Sequence, residues 1–392
     1  MRSVLYYVHH QGLGHWRRAL AVTAHLSRPV IFASSAPPPQ PLPASARFRL
    51  LPNDFPAPAE AGADAHGRLH WAPSRHDGLL GRHHLLLAEA ARHRPLLAVV
   101  DVSVEVTVLL RTSGIPVIAV RQPGRRDDDA HTLGFALADE VVMPVPEEWG
   151  LHAGLARTTA VGLIGAGAPD ALGPAGLGSA EFETAEFETA GFGSAGFGSA
   201  GLRSAAAVGA PDRPRVLIVV GQGGSRLDAH QCALIAADLP DHQVRVLGLR
   251  PNRPFGPGNL TFVGRVSDPR AELAAADVVI GNAGLGTVSD VVGAGRAFVA
   301  VPEDRPFEEQ HATGRALAAH RQAVVLTDLP AAGGWRTAVA QAIARGPADL
   351  TVDGAARFAE LIEVRAAAGE GSSSVPVVRH AIPAPAREAV PR

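Results

Sequence analysis

Three stretches of this chain concentrate side chains and glycines that could do chemistry. The first is Gln11-Gly12-Leu13-Gly14-His15, directly after an apolar run. Gly12 and Gly14 allow positive φ and let a ligand approach backbone N–H groups, and a helix beginning just beyond would favour negative charge. The His15 imidazole could deprotonate a hydroxyl nucleophile, or could simply cap the turn. His9 and His10 lie too close to the apolar run for both to face the same space. The second stretch is Gly221-Gln222-Gly223-Gly224-Ser225. A tight turn needs one glycine, whereas several glycines and a serine offer a row of backbone donors and a hydroxyl to an anion such as a diphosphate.

The third stretch, 277–310, is the densest. Asn282-Ala283-Gly284-Leu285-Gly286-Thr287 opens a helix whose first turn leaves N–H groups free, with the Thr287 hydroxyl beside them. Asp290, one turn on, could accept hydrogen bonds from a ribose diol; its alternative is compensation of the helix dipole. Glu309 and Gln310 end a polar loop. A carboxylate beside an amide suits vicinal sugar hydroxyls, and an exposed acidic loop is the other reading.

The elements that must position these groups alternate in type. Apolar runs at 4–8, 29–34, 97–102, 115–120 and 140–143 are separated by helical patterns at 16–26, 81–94 and 104–112. A second series follows, with strands at 215–220, 243–248, 260–263, 277–281 and 297–301 and helices at 228–237, 269–276, 284–293 and 308–320. Short buried strands alternating with helices predict parallel, doubly wound sheets whose ligands bind beyond the strand carboxyl ends. The fold class expected is therefore α/β: two Rossmann-like domains facing across a cleft, covering 1–164 and 211–366. Residues 165–210 form a low-complexity interdomain insert. From Gly176 the units GLGSA, EFETA, EFETA, GFGSA, GFGSA and GLRSA repeat, and a period of five matches neither helix nor strand. Residues 367–392 read as a flexible tail.

Composition removes several classes. All 36 basic residues are arginine, which excludes kinases and ATPases that need a phosphate-binding lysine, and Schiff-base enzymes. Cys232 is the only cysteine, so a disulfide framework and a Cys-rich zinc site are excluded and a cytoplasmic location is expected. A net charge of −2 gives no sign of nucleic acid as a partner. A dinucleotide fingerprint fails at Arg17, where glycine is required, and at Ser34-Ser35-Ala36, where the acidic residue is missing. No cofactor is expected. Asp127 to Asp129 read as a charged loop, and no strand ends in an Asp-x-Asp metal motif.

The order of these motifs resembles that of GT-B glycosyltransferases, in particular the family of the peptidoglycan lipid-intermediate N-acetylglucosaminyltransferase. The resemblance spans the chain apart from insert and tail, and is densest over 277–320. It implies that His15 is the general base and that Gly223, Gly224 and Ser225 lie near the donor diphosphate. It implies too that Asp290 grips the ribose, where the family carries Glu, and that Glu309 and Gln310 contact the donor sugar. Backbone from Val263 to Val266 would wall the uracil. The family's Gly-Gly-x-Gly-Gly-His loop is leaner here, at Gly12 and Gly14, which leaves the acceptor open among lipid-linked, glycan and small-molecule hydroxyls. Contact with the inner face of a membrane follows from the first of these.

The reaction expected is metal-independent transfer of a sugar from a nucleotide-diphosphate sugar, a UDP-sugar foremost, to an acceptor hydroxyl. N–H groups at Gly284 to Thr287 take up the charge of the leaving diphosphate. His15, or alternatively Asp101, takes the acceptor proton. A nucleotide-sugar 2-epimerase, a glycerol- or ribitol-phosphate transferase and a non-catalytic nucleotide-sugar-binding protein remain as alternatives.

Overall fold

The computed structural model describes residues 2–53, 62–165, 213–221, 224–253, 255–266 and 268–371. The first half runs β1 (Val4–Tyr7), α1 (Leu13–Thr23), β2 (Val30–Ser34), β3 (Ala46–Leu50), α2 (Asp77–His93), β4 (Ala98–Asp101), α3 (Val104–Thr112), β5 (Val117–Val120), α4 (Asp129–Leu137), β6 (Glu140–Met143) and β7 (Thr158–Ala160). The second runs β8 (Arg215–Val219), α5 (Ala229–Asp238), β9 (Gln243–Leu247), β10 (Leu260–Gly264), α6 (Arg270–Ala275), β11 (Val278–Gly281), α7 (Leu285–Gly293), β12 (Ala297–Ala300), α8 (Glu309–Ala319), β13 (Val324–Val325), α9 (Gly334–Arg345) and α10 (Gly354–Gly371).

Each half is built on one parallel sheet, ordered β3-β2-β1-β4-β5-β6-β7 and β10-β9-β8-β11-β12-β13. Runs such as Val4-Leu5-Tyr6-Tyr7 and Val278-Val279-Ile280-Gly281 are buried along their whole length, as strands covered by helices on both faces must be. Strand order reverses between β1 and β4 in the first sheet and between β8 and β11 in the second. Those switch points are where loops diverge and leave a crevice, and they carry His9 to His15, Asp101, Gly221 and Asn282.

The halves are joined by packing as well as by chain. Trp149 donates from Nε1 to Gln322 Oε1 at 2.7 Å, and Met143, Val145 and Leu163 share a core with Val288, Val291 and Phe298.

The last described helix crosses the domain boundaries read from sequence. Residues up to 366 were assigned to the second half and 367 onward to a tail, yet α10 continues to Gly371 and packs on the first half. Ala355, Phe358, Ala359, Ile362 and Ala366 join the core of Trp16, Val22 and Phe32. The cause is a helical stripe at i, i+3, i+4, i+7 and i+11, which needs an apolar partner and finds α1. Arg28 fixes it further through Glu363 at 2.7 Å and Glu370 at 2.8 Å. A segment predicted as charged loop is also partly helix: Asp128 caps α4 by accepting from the His131 N–H at 3.0 Å. The pentapeptide repeats lie outside the described residues, as does the tail beyond 371.

Candidate active site

Between the two switch points lies a cleft of about 1010 Å³, lined from both halves. Gly12, Gly14, His15, Asn282, Gly284, Gly286, Thr287, Asp290, Glu309 and Gln310 all face it, so ten of the residues singled out from sequence share one space.

On the first-half wall, Gly12 sits at φ 86°, a conformation that β-carbon-bearing residues avoid, and turns the chain from β1 into α1. His15 is thereby placed in the first turn of α1. Its Nδ1 lies 3.2 Å from Asp101 Oδ1, at the end of β4. Arg18, one turn further along α1, sends hydrogen bonds of 2.6, 2.9 and 3.2 Å into the same carboxylate, and its Nη2 is 3.0 Å from His15 Nδ1. Asp101 is fully buried. Burial alone would raise its pKa, but the charges of Arg18 and His15 and their hydrogen bonds outweigh it and leave the carboxyl well below the ordinary range. Asp101 is thus held as an anion behind the imidazole. Read from sequence as an alternative proton acceptor, it is buried behind Arg18 and does not line the cleft. Burial, with the neighbouring His15 and His10, pushes the His9 imidazole down to about 3, so it is neutral.

On the opposite wall, α7 starts without a side-chain cap, leaving its first N–H groups to the cleft. Asn282 Oδ1 accepts from the Gly284 N–H at 3.0 Å and the Thr287 hydroxyl at 2.9 Å, which makes this helix start rigid. A β-carbon on Gly221 would sit 2.7 Å from Asn282 Nδ2, so a larger residue there would have to displace the Asn282 amide where β8 and β11 end side by side. Gly14 and Gly286 have nothing within 4 Å of where a β-carbon would lie, and their backbone opens to the cavity. Gln310 spends its carbonyl on the N–H groups of Ala283 (3.2 Å) and Glu303 (3.0 Å), leaving its amide nitrogen on the cleft side.

Other sequence candidates fall elsewhere. Ser225 donates to Glu303 Oε1 at 2.7 Å and accepts from Leu227 N–H at 3.1 Å, and Gly224 gives its carbonyl to Arg305 at 2.6 Å. Neither lines the cleft; Gly223 lies outside the described residues. Val263 packs inward against the second-half core, and Val266 lines the cleft in its stead. The beginning of the second glycine loop, at Gly221, therefore meets the cavity, and its end is a structural corner.

Arginines that the sequence reading did not place in the site complete it. Arg17 Nη1 reaches Asp290 Oδ2 at 3.4 Å, and Arg126 Nη2 reaches Glu309 Oε2 at 3.3 Å, each pair crossing from first half to second. Arg126 also stacks over the Phe307 ring at 4.9 Å. Phe307 and Glu308 both adopt positive φ (62° and 55°) to bring this contact about, and the Phe307 carbonyl accepts from Arg125 N–H at 2.7 Å. The only sequence trace of this joint is the run Arg125-Arg126-Asp127-Asp128.

No protein-family model and no curated protein sequence matches the chain. Solved structures do. A UDP-glucosyltransferase from Polygonum tinctorium capable of glucosylating indoxyl is 17% identical with a TM-score of 0.60, covering 94% of this chain and 99% of its own. The calicheamicin glycosyltransferase CalG4 is 16% identical with a TM-score of 0.57, covering 94% and 99%. MurG of Acinetobacter baumannii is 14% identical with a TM-score of 0.53, covering 93% and 100%. The chain has the two-domain GT-B fold of glycosyltransferases.

Proposed function

We propose that the protein transfers a glycosyl group from a nucleotide-diphosphate sugar, a UDP-sugar first among the candidates, to an acceptor hydroxyl. The observation that carries this is the facing of two half-sites across one cleft. His15, backed by buried Asp101, stands on one wall, and the uncapped start of α7 at Gly284 to Thr287 on the other. The neighbours, a UDP-glucosyltransferase capable of glucosylating indoxyl and the calicheamicin glycosyltransferase among them, support the same reaction class.

In this reading the donor diphosphate lies against the N–H groups of α7, and Asp290 takes the ribose hydroxyls in exchange for Arg17. Glu309 and the amide nitrogen of Gln310 hold the sugar. The acceptor enters along the first-half wall, past Trp71 and Val104. In the tautomer that directs Nδ1–H at Asp101, rather than the one in which Nδ1 accepts from Arg18, His15 Nε2 is free to take the hydroxyl proton as the acceptor oxygen bonds to the anomeric carbon. The carbon–oxygen bond to the diphosphate breaks, and the departing charge is met by backbone dipoles fixed in advance by Asn282, without reliance on a metal. Arg18 keeps Asp101 ionised and in place. The acceptor is a lipid-linked, glycan or small-molecule hydroxyl; no described helix is long and apolar enough to cross a membrane.

Thermal unfolding with UDP, TDP, GDP, ADP and CMP in EDTA tests the donor half. A ligand at a hundredfold excess over Kd adds about 2.7 kcal/mol to stability. A shift with one nucleotide identifies the donor class. No shift with any, together with no nucleotide release from the matching sugar donors, sinks the proposal.

A further inference from the structure

A second convergence of side chains lies on the first-half wall, where α4 begins. Each oxygen of the Asp128 carboxylate is met by an imidazole: His131 Nδ1 lies 2.6 Å from Oδ2, and His70 Nε2 lies 3.0 Å from Oδ1. One ligand atom from each of the three residues falls within 4.8 Å of the other two. His131 is buried, while His70 and Asp128 reach solvent, so the cluster has a floor and an entrance. The Phe307 ring stands edge-on to His131 at 4.6 Å and closes one side.

We propose that His70 Nε2, His131 Nδ1 and the Asp128 carboxylate bind one divalent transition-metal cation of the zinc type, with the cleft side free for a fourth ligand. Two imidazoles and a carboxylate are a donor set that Zn²⁺ favours, at about 2.0–2.2 Å. Tetrahedral ligands at such distances stand about 3.3 Å apart by geometry. The contacts of 2.6 and 3.0 Å must therefore spread slightly, and the group, which lies within 4.8 Å, must draw together onto the ion.

The protons define what else must move. Arg126 Nη1 is 3.0 Å from His131 Nε2, and a guanidinium can only donate, so the imidazole proton sits on Nδ1 and points at Asp128. Metal binding shifts that proton to Nε2 and likewise moves the His70 proton from Nε2, which faces Asp128 Oδ1, to Nδ1, and Arg126 must turn away. Glu309 Oε2, 3.3 Å from Arg126 Nη2, stands ready to receive it. The ion would staple the loop carrying His70 to α4 and tighten the Arg126–Glu309 pair across the cleft. This inference rests on these four residues and is independent of the transfer reaction.

The full chain, stripped with EDTA and then desalted, is titrated with Zn²⁺ by calorimetry and with Co²⁺ by visible absorption. One equivalent should bind, with the intense bands of four-coordinate Co²⁺. His70→Ala and Asp128→Asn should each weaken binding by at least about tenfold, the scale seen for loss of even an outer partner. Both spare the fold: His70 is exposed, and Asn still caps α4. Arg126→Gln should tighten binding, because it removes the donor competing at Nε2. The chain has 17 histidines, so His9→Ala serves as a control for ions held elsewhere. The proposal is overturned if the wild type takes up no equivalent, if His70→Ala and Asp128→Asn bind like wild type, if His9→Ala abolishes binding, or if Arg126→Gln weakens it.

Discussion

Removing His15 and Asp101 singly and together separates what each does, because the two have different second roles. His15 is partly exposed at its side chain and touches only Asp101 and Arg18 among charged groups. His15→Ala should leave stability nearly unchanged and cost about 10²–10⁴ in kcat, the span of general base catalysis. At 1.36 kcal/mol per tenfold this is roughly 3–5 kcal/mol of barrier. Asp101 is 0% exposed and Arg18 8%, and three hydrogen bonds join them. Asp101→Asn strands a buried guanidinium, which costs about 3–5 kcal/mol of stability. It also costs rate, because the imidazole loses the anion that orients its proton. In the His15→Ala background, Asp101→Asn should therefore keep its whole stability cost and lose its rate cost. Urea unfolding and initial rates of nucleotide release, measured on all four proteins, read the two cycles side by side. A rate loss from Asp101→Asn that persists without His15 refutes the dyad, as does wild-type kcat in His15→Ala.

Asp290→Ala should abolish the nucleotide-induced rise in Tm while leaving the unliganded Tm within a degree or two, since its ion pair with Arg17, at 3.4 Å, is solvent-accessible. The depressed Asp101 carboxyl makes the unfolded chain bind more protons at acid pH. Its stabilising contribution is then full above the ordinary carboxylate pKa of about 3.9 and is lost as pH falls toward the lower folded value. Acid unfolding of Asp101→Asn should accordingly be flatter below pH 4 than that of wild type. Burial pushes the Cys232 thiol up to about 12, so a thiol reagent should label the native protein only at the rate of unfolding. Phe358→Ala should cost about 3–5 kcal/mol and destabilise the first half, although it lies near the chain's end; an unfolding transition lowered only in the second half would contradict this.

The two sheets were legible because their strands are buried on both faces and read as unbroken apolar runs, ended by glycine loops. Weaker elements were not. β3, Ala46-Arg47-Phe48-Arg49-Leu50, has no fully buried residue, as suits an edge strand, and β7 has only three residues. α10 carries a clear apolar stripe, but a stripe states only that a helix needs a partner. That the partner is α1, more than 330 residues earlier, is decided by the return of the chain across the halves at Gly162 and Gly354. There a β-carbon on Gly354 would stand 2.4 Å from the Gly162 carbonyl.

The same limit explains the site. Glycines and the hydroxyl at the start of α7 act through backbone near in sequence, and their pattern survives in a linear reading. Arg18, Arg17 and Arg126 act on carboxylates 83, 273 and 183 residues away. No local spacing encodes such pairs, and with arginine as the only strong base the chain gives no compositional hint of which guanidinium matters. The consequence reaches the mechanism. Asp290 and Glu309, the two acids read as donor contacts, are each paired across the cleft with an arginine from the other half. If the donor binds as proposed, its hydroxyls replace a guanidinium at both ends, and the exchange links donor binding to the relative position of the halves. Loss of Arg17 should then tighten nucleotide binding if the pair competes with ribose, and weaken it if Arg17 moves on to the diphosphate. The sign of that change in Kd tells whether the arginine is a placeholder or a ligand.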